Sequence, residues 1–102
     1  MSKVLISMKS VAVEMVDLVE DFYKQLKRKK ISKAEDKLWY YYANMEYTLP
    51  NLWLFYYTLE ILWRITKIEK EEDLALSIAY LQEAVKARAY EVVDLSEEQK
   101  EE

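Results

Sequence analysis

Residues 49–65 read LPNLWLFYYTLEILWRI, and the interpretation of the whole chain depends on them. A membrane-spanning helix needs about 20 apolar residues with few charges, whereas this stretch is shorter and contains Glu60 and Arg64. We therefore expect a buried helix over residues 51–69 and regard membrane association as disfavoured. Glu60, Arg64 and Lys67 fall on one narrow strip of that helix, and apolar side chains cover most of the rest. Such a helix must be surrounded by its own chain or by a second copy.

Three further amphipathic helices flank this one in the sequence. Apolar residues recur at steps of three and four from Val4 to Leu26, the periodicity of a helix with one buried face. Ser32 and Glu35 have the spacing of a capping box, which predicts the start of the second helix. Four helices joined by short polar connections favour an all-α, antiparallel four-helix bundle in one domain, residues 1–95. The predicted helices span residues 3–29, 33–48, 51–69 and 72–94, and an acidic tail over residues 96–102 is expected to fray.

Pro50 separates the second and third predicted helices. It has no N–H and its ring clashes with the carbonyl four residues earlier, so it ends or kinks a helix. Thr48 and Asn51 are both candidate caps of the helix that follows. The sequence leaves open whether these are two separate helices or one kinked helix.

The composition excludes most kinds of catalytic and cofactor site. The chain has 102 residues, 52% of them hydrophobic, and contains no Gly, His or Cys. Without Cys there is no disulfide framework or thiolate nucleophile, and without His there is no triad base or imidazole metal ligand. Without Gly there is no phosphate-binding loop of the Walker or dinucleotide kind. We therefore predict no enzyme activity, no metal, no cofactor and no small-molecule substrate.

Two sets of charged residues within the helices favour structural roles. Glu14, Asp17 and Asp21 share one face of the first helix, a pattern typical of a solvated surface. Glu60 and Arg64 are four residues apart, which predicts a partly buried ion pair that fixes helix register.

The aromatic residues are concentrated in the middle of the chain. Ten of the 14 lie between Trp39 and Trp63. Three consecutive tyrosines at residues 40–42 point about 100° apart on a helix, so they cannot all face one core. This predicts an aromatic surface through which the chain forms a homo-oligomer, although half-buried rings with hydroxyls in water are the alternative. The predicted interface consists of Trp39, Tyr41, Tyr42, Trp53, Tyr56, Tyr57 and Trp63.

Charge is distributed unevenly along the chain. Residues 1–33 carry a net charge of +4, residues 34–70 carry −1 and residues 71–102 carry −7. Six cations within ten residues form a basic cluster, for which we weigh two roles: keeping a helix end soluble, or binding the phosphate backbone of a nucleic acid. The basic cluster consists of Lys24, Lys27, Arg28, Lys29, Lys30 and Lys33.

Residues 30–43, KISKAEDKLWYYYA, resemble the turn and second helix of small prokaryotic HEPN-type helical proteins. The resemblance is carried by Ala34, Lys37 and Trp39. It implies a dimerising helical bundle that contacts RNA or a nucleotidyltransferase partner. Nuclease members of that family use a motif of Arg and His, and this chain has no His. The resemblance therefore implies a catalytically inert relative, and no site residues are carried over from it.

These observations favour a cytoplasmic, non-catalytic structural or interaction protein that self-associates through an aromatic-rich surface. The alternative is an accessory protein that binds RNA or DNA through the basic cluster. Abundant Lys, Glu, Ile and Tyr are typical of thermophile proteins, and the composition is similar to that of small helical proteins of archaeal viruses and plasmids.

Overall fold

The computed structural model describes the backbone of residues 3–101 and the side chains of residues 10–94. The described backbone forms four helices and no strand, which confirms the predicted all-α four-helix bundle. The helices are α1 (Lys3–Lys27), α2 (Ile31–Asn44), α3 (Leu49–Ile68) and α4 (Glu72–Glu101).

The third helix lies at the centre of the packing. It forms the most extensive helix–helix contact of the bundle with α4 and a second one with α1, while α2 packs against α1 and α4. Its side chains Leu52, Phe55, Leu59 and Leu62 are fully buried, as expected for so apolar a helix. Complete burial of a side chain of this size contributes about 1.5–3 kcal/mol to stability, so this row of four anchors the core. The other buried apolar residues are Val11, Met15, Phe22, Leu26, Ala34, Leu38, Leu74, Ala75, Ile78, Leu81, Val85 and Ala89.

The predicted apolar stripe of the first helix is confirmed where the structure describes it. Val11, Met15, Phe22 and Leu26 are all buried, and half-buried Leu18 completes the steps of three and four along α1. Val4, at the start of the predicted stripe, lies outside the residues whose side chains are described.

The predicted capping box at the start of the second helix is wrong. The helix begins at Ile31, one residue before Ser32, and its N-cap residue is Lys30, which makes no side-chain capping hydrogen bond. The new helix begins directly after the tight turn that ends α1. Its first hydrogen bond runs from the N–H of Ala34 to the carbonyl oxygen of Lys30 (3.1 Å). Ser32 therefore lies inside the first turn of α2, too late to cap it.

The second and third helices are separate, and Pro50 does not kink a continuous helix. The second helix ends at Asn44, earlier than the predicted residue 48, and Thr48 is extended with φ −106° and ψ 156°. Thr48 caps α3, because its Oγ1 accepts a hydrogen bond from the N–H of Asn51 (3.4 Å). Pro50 occupies the first turn of α3, where a helix does not need its N–H.

The backbone of α4 is helical to Glu101, well past the predicted end at residue 94. The tail, residues 96–102, is expected to fray. Its side chains lie outside the described part of the chain.

The turns after α1 and α3 are built in the same way without glycine. Lys29 and Lys70 have φ values of 59° and 60°, in the left-handed region. In each turn the N–H of the following residue donates to a carbonyl five residues earlier, Lys30 to Gln25 and Glu71 to Thr66, both at 2.9 Å. This is the Schellman motif, in which glycine is the preferred left-handed residue. Both turns therefore carry the steric strain of a Cβ atom in that conformation.

We expect replacement of Lys70 by Gly to stabilise the protein, because it relieves this strain. Lys70→Gly should raise the free energy of unfolding by about 0.5–1 kcal/mol, and hence Tm by about 2–8 °C. Lys24→Gly is the matched control inside α1, where the same exchange should cost about 0.5–1 kcal/mol. Thermal unfolding followed by circular dichroism measures both. Equal destabilisation by the two variants would contradict the strain argument.

Candidate functional site

The predicted interface residues do not form one surface, because two of them are half-buried and pack against the core. The rings of Tyr41 and Tyr42 pack on Phe55, with centroids 5.1 and 6.4 Å away. The hydroxyl of Tyr42 donates to the carbonyl oxygen of Ala84 (3.4 Å), and that of Tyr41 donates to Glu14 Oε2 (2.7 Å). Burial and the acceptor carboxylate raise the pKa of Tyr41 well above its ordinary value. These two tyrosines have structural roles.

Two further predicted residues have side-chain partners within the chain. Trp39 joins α2 to α4 through a hydrogen bond from its Nε1 to Ser77 Oγ (3.2 Å). Trp63 is half-buried on α3, with Lys67 Nζ 5.8 Å from its ring centroid. Their indole rings are therefore already engaged within the chain.

The remaining three predicted residues meet in an aromatic cluster, defined as Trp53, Tyr56, Tyr57 and Tyr90. The ring centroid of Trp53 is 5.5 Å from that of Tyr56, 6.3 Å from Tyr57 and 6.4 Å from Tyr90. Tyr57 and Tyr90 are exposed over 62% and 55% of their surface. Tyr90 was missed from the sequence because its neighbours are on α3, and the register of α4 against α3 is not a local property. Its only sequence signal is an aromatic residue on the outward side of an amphipathic helix.

The aromatic cluster belongs to a longer outer face of the α3–α4 hairpin. Exposed side chains recur at steps of three and four along both helices, on the sides that point away from the core. This is the spacing of a coiled-coil seam. The outer face consists of Tyr57, Ile61, Arg64 and Ile68 on α3, and of Leu76, Tyr80, Glu83, Ala87 and Tyr90 on α4.

A polar network connects the middle of the outer face to the contact between the two helices. Buried Gln82 of α4 donates from Nε2 to the carbonyl oxygen of Tyr56 (3.2 Å) and to Glu60 Oε2 (3.1 Å). Glu60 Oε1 in turn lies 3.3 Å from Arg64 Nε. The predicted pair of Glu60 and Arg64 is thus formed, but the Arg64 side chain is 70% exposed, so only Glu60 is partly buried.

The basic cluster lies beside the acidic turn between α3 and α4. Lys27 Nζ is 2.8 Å from Glu69 Oε1, and Lys29 Nζ is 3.4 Å from Glu71 Oε1. The hydrogen bond between Lys27 and Glu69 raises the pKa of Lys27 and lowers the pKa of Glu69. Within the described residues, the other members of the basic cluster are exposed and have no carboxylate within ion-pair distance; they are Lys24, Arg28, Lys30 and Lys33.

Two of the three predicted carboxylates of α1 are engaged individually, and the third, Asp17, is exposed. Glu14 accepts the Tyr41 hydrogen bond, and Asp21 Oδ2 lies 2.6 Å from Lys37 Nζ. This hydrogen bond lowers the pKa of Asp21. The described side chains contain no group of three or more residues placed to hold a metal ion. Over the part of the chain that is described, none of the helices combines the length and apolar character needed to span a bilayer.

In comparisons with known proteins, no family model, no curated protein and no solved structure matches the chain. Any assignment of function therefore rests on the surfaces described above.

The ion pair between the two turns should make the stability of the protein depend on pH. The pKa of Glu69 is lowered in the folded state, so its contribution is present above about pH 4.5 and is lost as the pH falls through the folded pKa. Glu69→Gln should therefore be less stable than the wild type at neutral pH and equal to it in acid. Urea unfolding at both pH values, in low and high salt, measures this. A difference that persists unchanged in acid would contradict the assignment.

Proposed function

We propose that the protein is a non-catalytic structural or interaction protein that self-associates through the outer face of the α3–α4 hairpin. The observation that carries this proposal is the pair of exposed, coiled-coil-spaced rows on adjacent helices. Large apolar and aromatic side chains at such positions are typical of interfaces, because a contiguous exposed patch of this kind is unusual on a monomer.

Charge complementarity supports a second copy as the partner. Arg64 lies in the middle of the α3 row and Glu83 in the middle of the α4 row, and both are exposed. In a twofold dimer the same patch is used by both subunits. If α3 of one subunit packs on α4 of the other, the Arg64 and Glu83 side chains of both subunits enter one interface. Charges of opposite sign then balance there, and the aromatic side chains around them exclude water.

We expect the protein to be a dimer at micromolar concentration, with twice the chain mass of 12.3 kDa. Ile61→Glu places a charge in the centre of the outer face and should give a monomer. Tyr40→Glu is the matched control, because Tyr40 is 73% exposed but lies on α2. Light scattering measures the mass, and circular dichroism shows whether each variant is folded. A wild-type monomer at all accessible concentrations would contradict the proposal.

A charge exchange tests the arrangement of the two subunits. Arg64→Glu and Glu83→Arg should each weaken the dimer about tenfold or more, because each leaves the exposed charges at the centre of the interface with one sign only. The double variant restores charges of both signs and should recover most of the affinity. If the two single effects simply add in the double variant, the charges of the two residues are not coupled across the interface, which contradicts the proposed arrangement.

The second candidate function is binding of RNA or DNA through the basic cluster. It is favoured by the resemblance to HEPN-type proteins and by four exposed cations that have no carboxylate partner among the described side chains. The ion pairs of Lys27 and Lys29 weaken it. For single-stranded RNA, four phosphate contacts would give a slope of about −3 in a plot of log affinity against log salt. Lys30→Glu combined with Lys33→Glu should then abolish binding without changing the mass in solution. Absence of salt-dependent binding in low salt would remove this candidate.

A further inference from the structure

Glu60 links a buried side chain of α4 to an exposed side chain of α3. Gln82 is only 7% exposed, and its Nε2 donates to the carbonyl oxygen of Tyr56 (3.2 Å) and to Glu60 Oε2 (3.1 Å). The other carboxylate oxygen of Glu60, Oε1, lies 3.3 Å from Nε of Arg64, whose side chain is 70% exposed. The three side chains therefore form a continuous series of contacts from the interior of the bundle to its outer face.

The two acceptors of Gln82 determine the orientation of its amide group. An amide nitrogen carries two N–H donors, so each of the two oxygens receives one of them. The reversed amide would place its own oxygen against a carbonyl and a carboxylate, neither of which can donate. Gln82 therefore has one favourable orientation, and in that orientation it holds the Glu60 carboxylate by one of its oxygens.

This support distinguishes the pair of Glu60 and Arg64 from an ordinary ion pair on a helix surface. An exposed pair contributes little to stability, because two mobile side chains must be ordered for one contact. Here Gln82 already orders the carboxylate, so only the arginine remains to be ordered. The contact is made at Nε, and the Nη groups of Arg64 have no partner among the described side chains. These outer N–H groups are able to bind a further carboxylate at two points.

From this arrangement we propose that Gln82, acting through Glu60, positions the guanidinium of Arg64 to bind a carboxylate of a second copy of the chain. The inference rests on the proposed self-association, in which Arg64 and Glu83, the acidic residue of the outer face, enter one interface. Association loses affinity when exposed side chains with many rotamers become ordered. A guanidinium that is oriented before the subunits meet avoids part of this loss. Gln82 is thus a positioning residue of the interface.

The test replaces Gln82 by Met, which has a similar length and volume but no N–H donor. Gln82→Met should weaken the dimer about three- to tenfold, measured by analytical ultracentrifugation over a dilution series. Gln25→Met is the matched control and should leave the affinity unchanged. Gln25 is similarly buried, at 5% exposed, but lies on α1 and donates to Asp21. If both folded variants dimerise as tightly as the wild type, or lose affinity equally, the proposal is wrong.

The mobility of the Arg64 side chain is measured independently of association. The chain contains three arginines, and exposed Arg28 has no carboxylate within ion-pair distance among the described side chains, so it serves as the mobile reference. The heteronuclear ¹H–¹⁵N NOE of Arg64 Nε should be high in the wild type and should fall towards the Arg28 value in Gln82→Met. An NOE that stays high in Gln82→Met refutes the positioning role. A wild-type monomer would remove the proposed function, and the NOE would still show whether Gln82 orients Arg64.

A second variant tests whether Gln82 acts through Glu60. Glu60→Gln keeps an acceptor for Gln82 but removes the charge that attracts Arg64, so it should also weaken the dimer. If the two residues act in series, adding Gln82→Met to Glu60→Gln should cause little further loss. Losses that add in the double variant would mean that the two residues act independently, which would overturn the proposal.

Discussion

The structure depends on the large apolar surface of α3. The other three helices of one chain cover only part of that surface. Its inner side is filled by Leu52, Phe55, Leu59 and Leu62, which α1, α4 and two tyrosines of α2 remove from solvent. Its opposite side still presents Ile61 and other apolar groups to water. Because hydrophobic burial drives both folding and association, the same sequence property produces a core on one side of α3 and a candidate interface on the other.

The uneven charge along the chain has a structural explanation at one end of the bundle. The turn after α1 is basic and the turn after α3 is acidic, and folding brings them together through the pairs of Lys27 with Glu69 and Lys29 with Glu71. These pairs are exposed, so each adds little to stability. They connect the turn between α1 and α2 to the turn between α3 and α4. Both turns are strained, at Lys29 and Lys70, because each reverses the chain without glycine.

Sequence reasoning gave the number, type and approximate positions of the helices because their periodicity is local. It failed where the outcome depends on how helices meet. Ser32 has the spacing of a capping residue, but the preceding Schellman turn starts α2 before it. Residue type alone groups Tyr41 and Tyr42, which pack inward on Phe55, with Tyr57, which points outward. Only the register between helices distinguishes the inward-facing tyrosines from the outward-facing one. The pattern of residues along the sequence does not contain that register.

The same dependence on register divides the surface of the protein into regions with different chemistry. The outer face of α3 and α4 is apolar and aromatic, with one charge of each sign, Arg64 and Glu83, near its middle. The α1–α2 side instead carries bonds between polar and charged side chains, such as those of Lys37 with Asp21 and of Tyr41 with Glu14. Because these regions lie on different helix pairs, association through the outer face of α3 and α4 would leave the contacts of the α1–α2 side unchanged.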